Sequence, residues 1–584
     1  MALRIMNDKF WLLQGPNEIK MIKLAHRCGK GGYYLPLTDR VNDYYRRGNV
    51  STILPLQSAH QYAQHPTHSL TEAQPIQQAA VYQFSHDNKL SMAQAKTLGE
   101  LRATGYTPRS VKQELRDNLI QRLRNKEEIF PGIIGFDDTV LPDIQRAILS
   151  RHSILLLGLR GQAKTRIARL LVNLLDEYIP VIAGSELNDD PLQPISRSSV
   201  DLIERMGDDT PINWWHRNDR YVEKLATPDV SVADLIGDVD PIKAATLKLT
   251  YADERVIHYG LVPRAHRGIF VINELPDLQA RIQVSLFNIL QEGDIQIRGF
   301  KLRLPLDIQF VFTANPEDYT NRGSIITPLK DRIESQILTH YPKTIEIARS
   351  ITAQEATLDT AQTEMVEVPE LLSTMLEQLS FSARDSEYVD EKSGVSARLS
   401  ITALENLVST AERRALINGD KYTVARITDF WGVVPAITGK VELVYEGEQE
   451  GAYGVAMKLI GQSIKTSFLA HFPNPGEVVA DGRGKSDPYG VIRAYFSGGN
   501  VVELLTDGSN QEYRKALDAV AGLRKFVDAH LEGSRSEAET YLYMELVLQG
   551  LAEMEVLNKE ALHNSLNFRD ILADMFGDED LDFR

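Results

Sequence analysis

A parallel β-sheet sandwiched by helices, followed by a helical lid and a further, mostly helical C-terminal region, is the α/β fold the sequence predicts. Three observations carry it. Short continuous apolar runs ("SILLLG", "PVIAG", "GIFVINEL", "DIQFVFTANP") alternate with stretches of helical period such as "RIARLLVNLL" and "RIQVSLFNIL". Strands covered on both faces need that unbroken apolar character. The first run ends in a glycine-containing loop, "GLRGQAKT", that opens a helical stretch. After "LTHYPKTIEIARSIT" the apolar runs give way to helical patterns, as in "SITALENLVSTAERRALINGD" and "YTVARITDFWGVV".

With 584 residues the chain exceeds what one hydrophobic core supports. Residues 1–91, rich in Gln, His, Ala and Pro with little periodicity, read as a disordered leader, and the natural chain is open to starting at Met92. His60, His65 and His68 lack a Cys or carboxylate cluster at ligand spacing, so no metal site is assigned to them. The amphipathic "SVKQELRDNLIQRLRNK" leads into an α/β domain over 92–345, followed by a helical lid over 346–440. Residues 441–584 form a mostly helical region with a strand-like pair, "GVIRAYF" and "NVVELLT", and no assigned role.

The hydrophobic share of 43% and the charged share of 25% are those of a soluble globular protein. The net charge of -16 argues against a general nucleic-acid binder, although a local basic groove stays compatible with it. The single cysteine, Cys28, excludes an internal disulfide framework and fits a reducing compartment. No apolar run is long enough to span a membrane, and the N-terminus lacks a signal-peptide core, so a cytoplasmic location is expected.

The loop at 158–165 departs from the strict phosphate-binding pattern G-x-x-x-x-G-K-[ST] only in carrying Ala163 where the second glycine stands. A strand ending at Gly158 and a helix starting near Lys164 aim the backbone N–H groups of Leu159, Arg160, Gly161, Gln162 and Ala163 at an anion, aided by the helix dipole. The extra methyl of Ala163 is tolerable if its φ is negative. Lys164 would reach the β and γ phosphates of ATP, and Thr165 would ligate Mg²⁺. A second Gly-Lys-Ser, in "GRGKSDP", follows no apolar strand and is stopped by Pro488, so it reads as a plain loop.

Two further strand ends complete the chemistry. Glu274, at the end of "GIFVINE", would polarise an attacking water, and Asn315, at the end of "DIQFVFTAN", would orient it. Arg332, in "ITPLKDRIES" past the last expected sheet strand, could reach a neighbouring subunit's nucleotide, and Arg398, opening a lid helix in "SGVSARLS", could touch the γ phosphate.

In this order "GLRGQAKT", "FVINEL", "FTANPEDY", "PLKDRI" and "SGVSARLS" resemble an AAA+ P-loop NTPase core, of the branch holding the MoxR proteins and the ATPase subunit of magnesium chelatase. The resemblance covers roughly residues 125–430. It implies that Ala163 is a family mark, that Ile134 in "PGIIGF" packs against adenine, and that "DLIGDVDPIKAATLKLTYADERVIHYGLVPRAHRG" and "LFNILQEGDIQIRGFKLRLP" each hold a hairpin. It also implies a homo-oligomeric ring, commonly a hexamer, and a separate partner carrying a von Willebrand factor A domain. Asn273 stands where the family has an aspartate that helps hold Mg²⁺. An amide brings no charge to a hard cation, so weaker Mg²⁺ binding and slow hydrolysis are expected; Asp277 could compensate, but four residues on and past Pro276 nothing in the sequence places it at the metal.

The function that follows is an ATP-hydrolysing ring motor remodelling a partner or loading metal or cofactor into it. Open alternatives are the motor subunit of a true magnesium chelatase and a nucleotide-gated scaffold with little hydrolysis. A ring-ATPase transcriptional activator fits less well, since no G-A-F-T-G-A-like loop or DNA-binding helix pair is found.

Overall fold

The computed structural model describes the backbone of five short strands within residues 3–34, and residues 95–250, 253–297, 303–316, 324–391, 394–476, 487–562 and 564–571. The chain divides into two compact units, Met1–Tyr106 with Gly207–Ile212, and Thr107–Met206 with Asn213–Arg584.

In the first unit Leu3–Met6, Lys9–Leu13 and Ile19–Ile22 form a three-stranded antiparallel sheet, and His26–Cys28 pairs antiparallel with Gly32–Tyr34. The rest of the expected leader, including the three histidines, lies outside the described residues. The helix Leu98–Ala103 is capped by the Thr97 hydroxyl and tied to Asp208 through Arg102.

The second unit is built on a parallel sheet of five strands: β1 (Ile154–Leu157), β2 (Tyr221–Leu225), β3 (Gly268–Asn273), β4 (Ile308–Ala314) and β5 (Ser335–Leu338), in the order β5-β1-β4-β3-β2. Successive side chains point to opposite faces. Ile154, Leu156, Ile269, Val271 and Val311 join one core, under α1 (Val111–Asn125), α2 (Val140–Leu149) and α3 (Lys164–Leu170). Leu155, Phe270, Ile272, Phe310 and Phe312 join a second core on the other face. The sheet is thus closed off from water on both sides, as its central runs require.

The edges of the sheet differ from expectation. "PVIAG" gives the strand Tyr178–Ile182, but in a two-stranded ladder outside this sheet. Its expected place is taken by β2, "YVEKL", a half-exposed strand with no continuous apolar run. The sheet also has a strand beyond α4 (Thr327–Arg332), so Arg332 precedes the last strand and does not follow it. Both hairpins form: Gly237–Val239 pairs antiparallel with Ile257–Tyr259, and Asp294–Gln296 with Arg303–Pro305.

Beyond the sheet come α5 (Ile345–Glu355), α6 (Glu370–Arg384), α7 (Arg398–Asn418), α8 (Ala452–His471) and α9 (Glu537–Glu553). One buried cluster runs from Val366 to Phe568, so the helices after residue 440 share a core with those before it. "GVIRAYF" is a helix, Gly490–Ser497, where a strand was expected: Ile492 and Phe496, one turn apart, are its buried face. Val502–Leu505 is a strand and pairs with Ser565–Asp570. The Gly-Lys-Ser of "GRGKSDP" lies outside the described residues. Among the described residues no helix is long and apolar enough to cross a membrane.

Candidate functional site

The C-terminal ends of β1, β3 and β4 open into a cleft of about 970 Å³. The loop from β1 to α3 forms its floor. At Gly158 a Cβ would lie 2.0 Å from the Thr339 hydroxyl, and at Gly161, with φ +73°, 2.1 Å from the Ser396 hydroxyl. Only glycine fits either place. Ala163 does not have the negative φ on which its tolerance was argued: it is left-handed, at φ 55° and ψ 13°. Such a residue costs roughly 1 kcal/mol more than glycine there. The methyl packs against the core under the sheet, and the Ala163 carbonyl accepts from the Ile167 N–H at 2.9 Å, starting α3.

Lys164 is buried and folds back over the loop. Its Nζ donates to the carbonyl oxygens of Gly158 and Leu159, the latter at 2.9 Å, and to Asn315 Oδ1 at 2.7 Å. Asn315 Nδ2 in turn donates to Glu274 Oε2 at 2.9 Å. A lysine from the start of α3, an amide from the end of β4 and a carboxylate from the end of β3 are thereby linked in one line. Glu274 has φ 54° and ψ 51°, a strained backbone for a residue with a Cβ, and its N–H donates to Thr313 Oγ1 at 3.1 Å.

Of the residues expected from sequence, Ile134, Arg160, Gly161, Gln162, Ala163, Lys164, Thr165, Glu274, Asn315 and Arg398 line this cleft, and so does Asp277. Gly158 and Leu159 contribute the carbonyls under Lys164. Arg398 is the first residue of α7, as its position in "SARLS" suggested.

Arg332 and Asn273, like Gly158 and Leu159, are not among the residues lining the cleft. Arg332, at the end of α4, has its guanidinium 4.7 Å from the Phe287 ring centroid and donates to Gln291 Oε1 at 3.0 Å. Asn273 is buried at the end of β3, its Nδ2 donating to Glu223 Oε1 at 2.5 Å and its Oδ1 accepting from the Thr313 hydroxyl at 3.1 Å.

Several residues of the site were not found from sequence. Gly132, Phe136, His340, Pro342 and Ile351 line the cleft beside Ile134, with Phe136 and His340 edge to face at 5.0 Å. The guanidinium of Arg166, in α3, pairs with Glu355 in α5, and Gln354 Nε2 donates to the Gly132 carbonyl at 2.9 Å, tying the first lid helix to the rim. Arg166 and Arg169 follow the loop on α3 at helical spacing, so that signal was available. His340, Gln354 and Glu223 come from distant segments and carry no local pattern.

Glu223, on β2, is held by Arg169 Nε at 2.9 Å and the Tyr221 hydroxyl at 3.0 Å. Burial pushes its carboxyl up, but the bonds from Arg169 and Tyr221 outweigh that and hold it below the ordinary carboxylate value.

A family model described as "Sigma-54 interaction domain" matches residues 248–337, which hold β3, β4, Glu274 and Asn315. The magnesium-chelatase 38 kDa subunit of Rhodobacter capsulatus is 24% identical over 234 residues, 39% of this chain and 61% of that protein. Over these residues the chain is similar to AAA+ proteins. The subunit of the same name from Cereibacter sphaeroides is 25% identical over 201 residues, 33% of this chain and 52% of that protein. The chain thus spans less than two thirds of either curated relative. A solved assembly described as the complex between subunits BchI and BchD of magnesium chelatase is similar over 55% of this chain and 98% of that chain, at 19% identity and TM-score 0.29. A putative ATPase from Cytophaga hutchinsonii is similar over 60% of this chain and 96% of that chain, at 16% identity and TM-score 0.24.

Proposed function

We propose that this chain is an AAA+ protein, binds ATP with Mg²⁺ in the cleft and hydrolyses it as a motor in a homo-oligomeric ring. The observation that carries this reading is the line Lys164–Asn315–Glu274 across the mouth of the loop. Each bond in it joins groups that a phosphate or a water can take over. Lys164 exchanges carbonyl and amide acceptors for anionic phosphate oxygens, a charge-assisted gain. Asn315, released from the lysine, orients a water, and Glu274 accepts that water's proton as it attacks the terminal phosphorus.

The backbone around Gly161, with no room for a side chain, gives the loop N–H groups their approach to phosphate oxygens. The apolar end of the cleft around Ile134, Phe136 and Ile351 suits a flat base. Mg²⁺ fits the donor set of the Thr165 hydroxyl with the Asp277 carboxylate, both of which line the cleft. The second lone pair of Asn273 Oδ1 offers a further acceptor. When bound, the cation neutralises phosphate charge. Arg398 reaches the same cleft from α7, and Arg332, on the outer surface, serves a neighbouring subunit in trans.

In this reading the ring, hexameric as in its branch, works in the cytoplasm beside a separate protein carrying a von Willebrand factor A domain, remodelling it or loading metal or cofactor into it. The similarity to the magnesium-chelatase 38 kDa subunit supports a second, narrower reading, the motor subunit of a metal chelatase. Glu274→Gln tests the proposal: nucleotide should still bind while phosphate release stops, and the trapped complex should retain the partner in a pull-down. Phosphate release at the wild-type rate in this variant would remove Glu274 from the chemistry.

A further inference from the structure

We infer that Glu223 is a positioning residue for the hydrolytic end of β3, and that residue 273 is an asparagine because Glu223 faces it. The inference rests on the reading of Glu274 as the residue that takes the water's proton.

β2 runs parallel to β3 with Leu225 opposite Asn273. This register brings Glu223, two residues earlier and on the same face as Leu225, alongside the Asn273 side chain. The contact is 2.5 Å from Asn273 Nδ2 to Glu223 Oε1. An ionised carboxylate only accepts hydrogen bonds, so its neighbour must donate. The asparagine amide donates; an aspartate in its place would set a second carboxylate against the first, and the two would share a proton or separate.

With Nδ2 committed to Glu223, the amide has one orientation, and Oδ1 must face Thr313. The Thr313 hydroxyl donates to that oxygen at 3.1 Å, which leaves its own lone pair to accept the Glu274 N–H at 3.1 Å. Each link therefore fixes the donor and acceptor sense of the next, ending at Glu274, whose backbone is left-handed. Glu223 is itself gripped by Arg169 through Nε at 2.9 Å and Nη2 at 3.2 Å. Arg169 lies one turn beyond Thr165 on α3 and, like it, lines the cleft.

The pairing makes a prediction opposite to the one residue 273 invites when considered alone. Replacing Asn273 by the aspartate usual at that position should impair the site, and Glu223→Gln should repair it, because a glutamine at 223 can donate to an aspartate at 273. Turnover, affinity for a fluorescent ATP analogue and melting temperature are measured on the full chain. Asn273→Asp should lower turnover about 10- to 100-fold with nucleotide affinity within about threefold of wild type, and the double variant should recover at least about tenfold. Turnover in Asn273→Asp at or above wild type, or a double variant no better than Asn273→Asp, would overturn the inference.

Glu223→Ala gives a second reading that introduces no repulsion, and so holds if Asn273→Asp does not fold. Losing the acceptor should lower turnover about tenfold at nearly constant nucleotide affinity. Unchanged turnover in Glu223→Ala overturns the inference. Glu274→Gln separates the two levels. If it turns over normally, the reading of Glu274 fails; if it is inactive and the double variant shows no rescue, only the role of Glu223 fails.

Discussion

Two clusters of polar and charged groups, one at the cleft and one in the C-terminal core, show how a candidate site differs from a structural joint. In the core, Arg414 donates to Asp429 through Nε at 3.1 Å and Nη2 at 2.9 Å, and to the Thr423 hydroxyl and the Val424 carbonyl. Glu545, fully buried, accepts from the N–H groups of Ile427 and Thr428 and from the Tyr513 hydroxyl. These bonds fasten α9 to the segment after α7, and Arg414, Asp429 and Glu545 are all buried. At the cleft Lys164 donates to carbonyls of its own loop and to an amide, groups that a ligand can displace. Burial of charge is common to both clusters, and displaceable partners are found at the cleft.

The sharpest way to break this comparison is Arg332, which belongs to neither cluster and sits on the outer surface. If it serves a neighbouring subunit, Arg332→Ala should cost on the order of 10³-fold in turnover with little change in melting temperature. Rings mixed from Arg332→Ala and Glu274→Gln subunits should regain activity, whereas no rescue in rings shown to be mixed would place Arg332 within its own subunit. In the structural cluster, Glu545→Ala leaves two buried N–H groups and a tyrosine hydroxyl without their acceptor and should destabilise by about 3–5 kcal/mol in a urea titration. A loss below about 1 kcal/mol would show that the joint is not structural.

A third prediction concerns pH. Burial pushes Asp307 up to about 6 from 3.8 and, with a smaller contribution from Arg267, His266 down to about 4 from 6.5. The Asp307 N–H donates to His266 Nδ1 at 3.0 Å, so the two are neighbours. With its folded value raised, Asp307 contributes stability that is complete below 3.8 and lost as pH rises through 6. With its folded value lowered, His266 contributes stability that is complete above 6.5 and lost as pH falls through 4. The slopes oppose and nearly cancel. Asp307→Asn should expose the histidine, adding on the order of 3 kcal/mol of stability loss between neutral pH and pH 4 relative to wild type. Parallel pH profiles for the two proteins would contradict this.

The smallest effect is expected at Ala163→Gly, where relief of the left-handed backbone and loss of a packed methyl offset each other within about 0.5 kcal/mol. A fall beyond about 1 kcal/mol would mean that the methyl's packing dominates.

The centre of the sheet was legible because β1, β3 and β4 are covered on both faces and must be continuously apolar. Its edges were not: β2 and β5 have partners on one side only, and "YVEKL" and "SQIL" carry no such run. In "GVIRAYF" the β-branched Val491 and Ile492 suggested a strand, although the spacing of Ile492 and Phe496 already had the helical period. The loop residues, Glu274, Asn315 and Arg398 could be found because each is fixed by a local pattern at the end of a strand or the start of a helix. Glu223 could not, since its contact with Asn273 depends on the register of two strands 50 residues apart in the chain. The sign of φ at Ala163 is likewise set by the tight turn into α3, which composition does not reveal.

The claim on which the rest depends is that nucleotide takes over the bonds of Lys164. Calorimetric titration of ATP with Mg²⁺ into the Lys164→Ala variant tests it directly, with the melting temperature recorded alongside. The account predicts that affinity falls at least about 100-fold while the nucleotide-free protein still folds and melts within a few degrees of wild type. Affinity equal to wild type in a folded Lys164→Ala protein would contradict it, and would move the nucleotide away from residues 158–165.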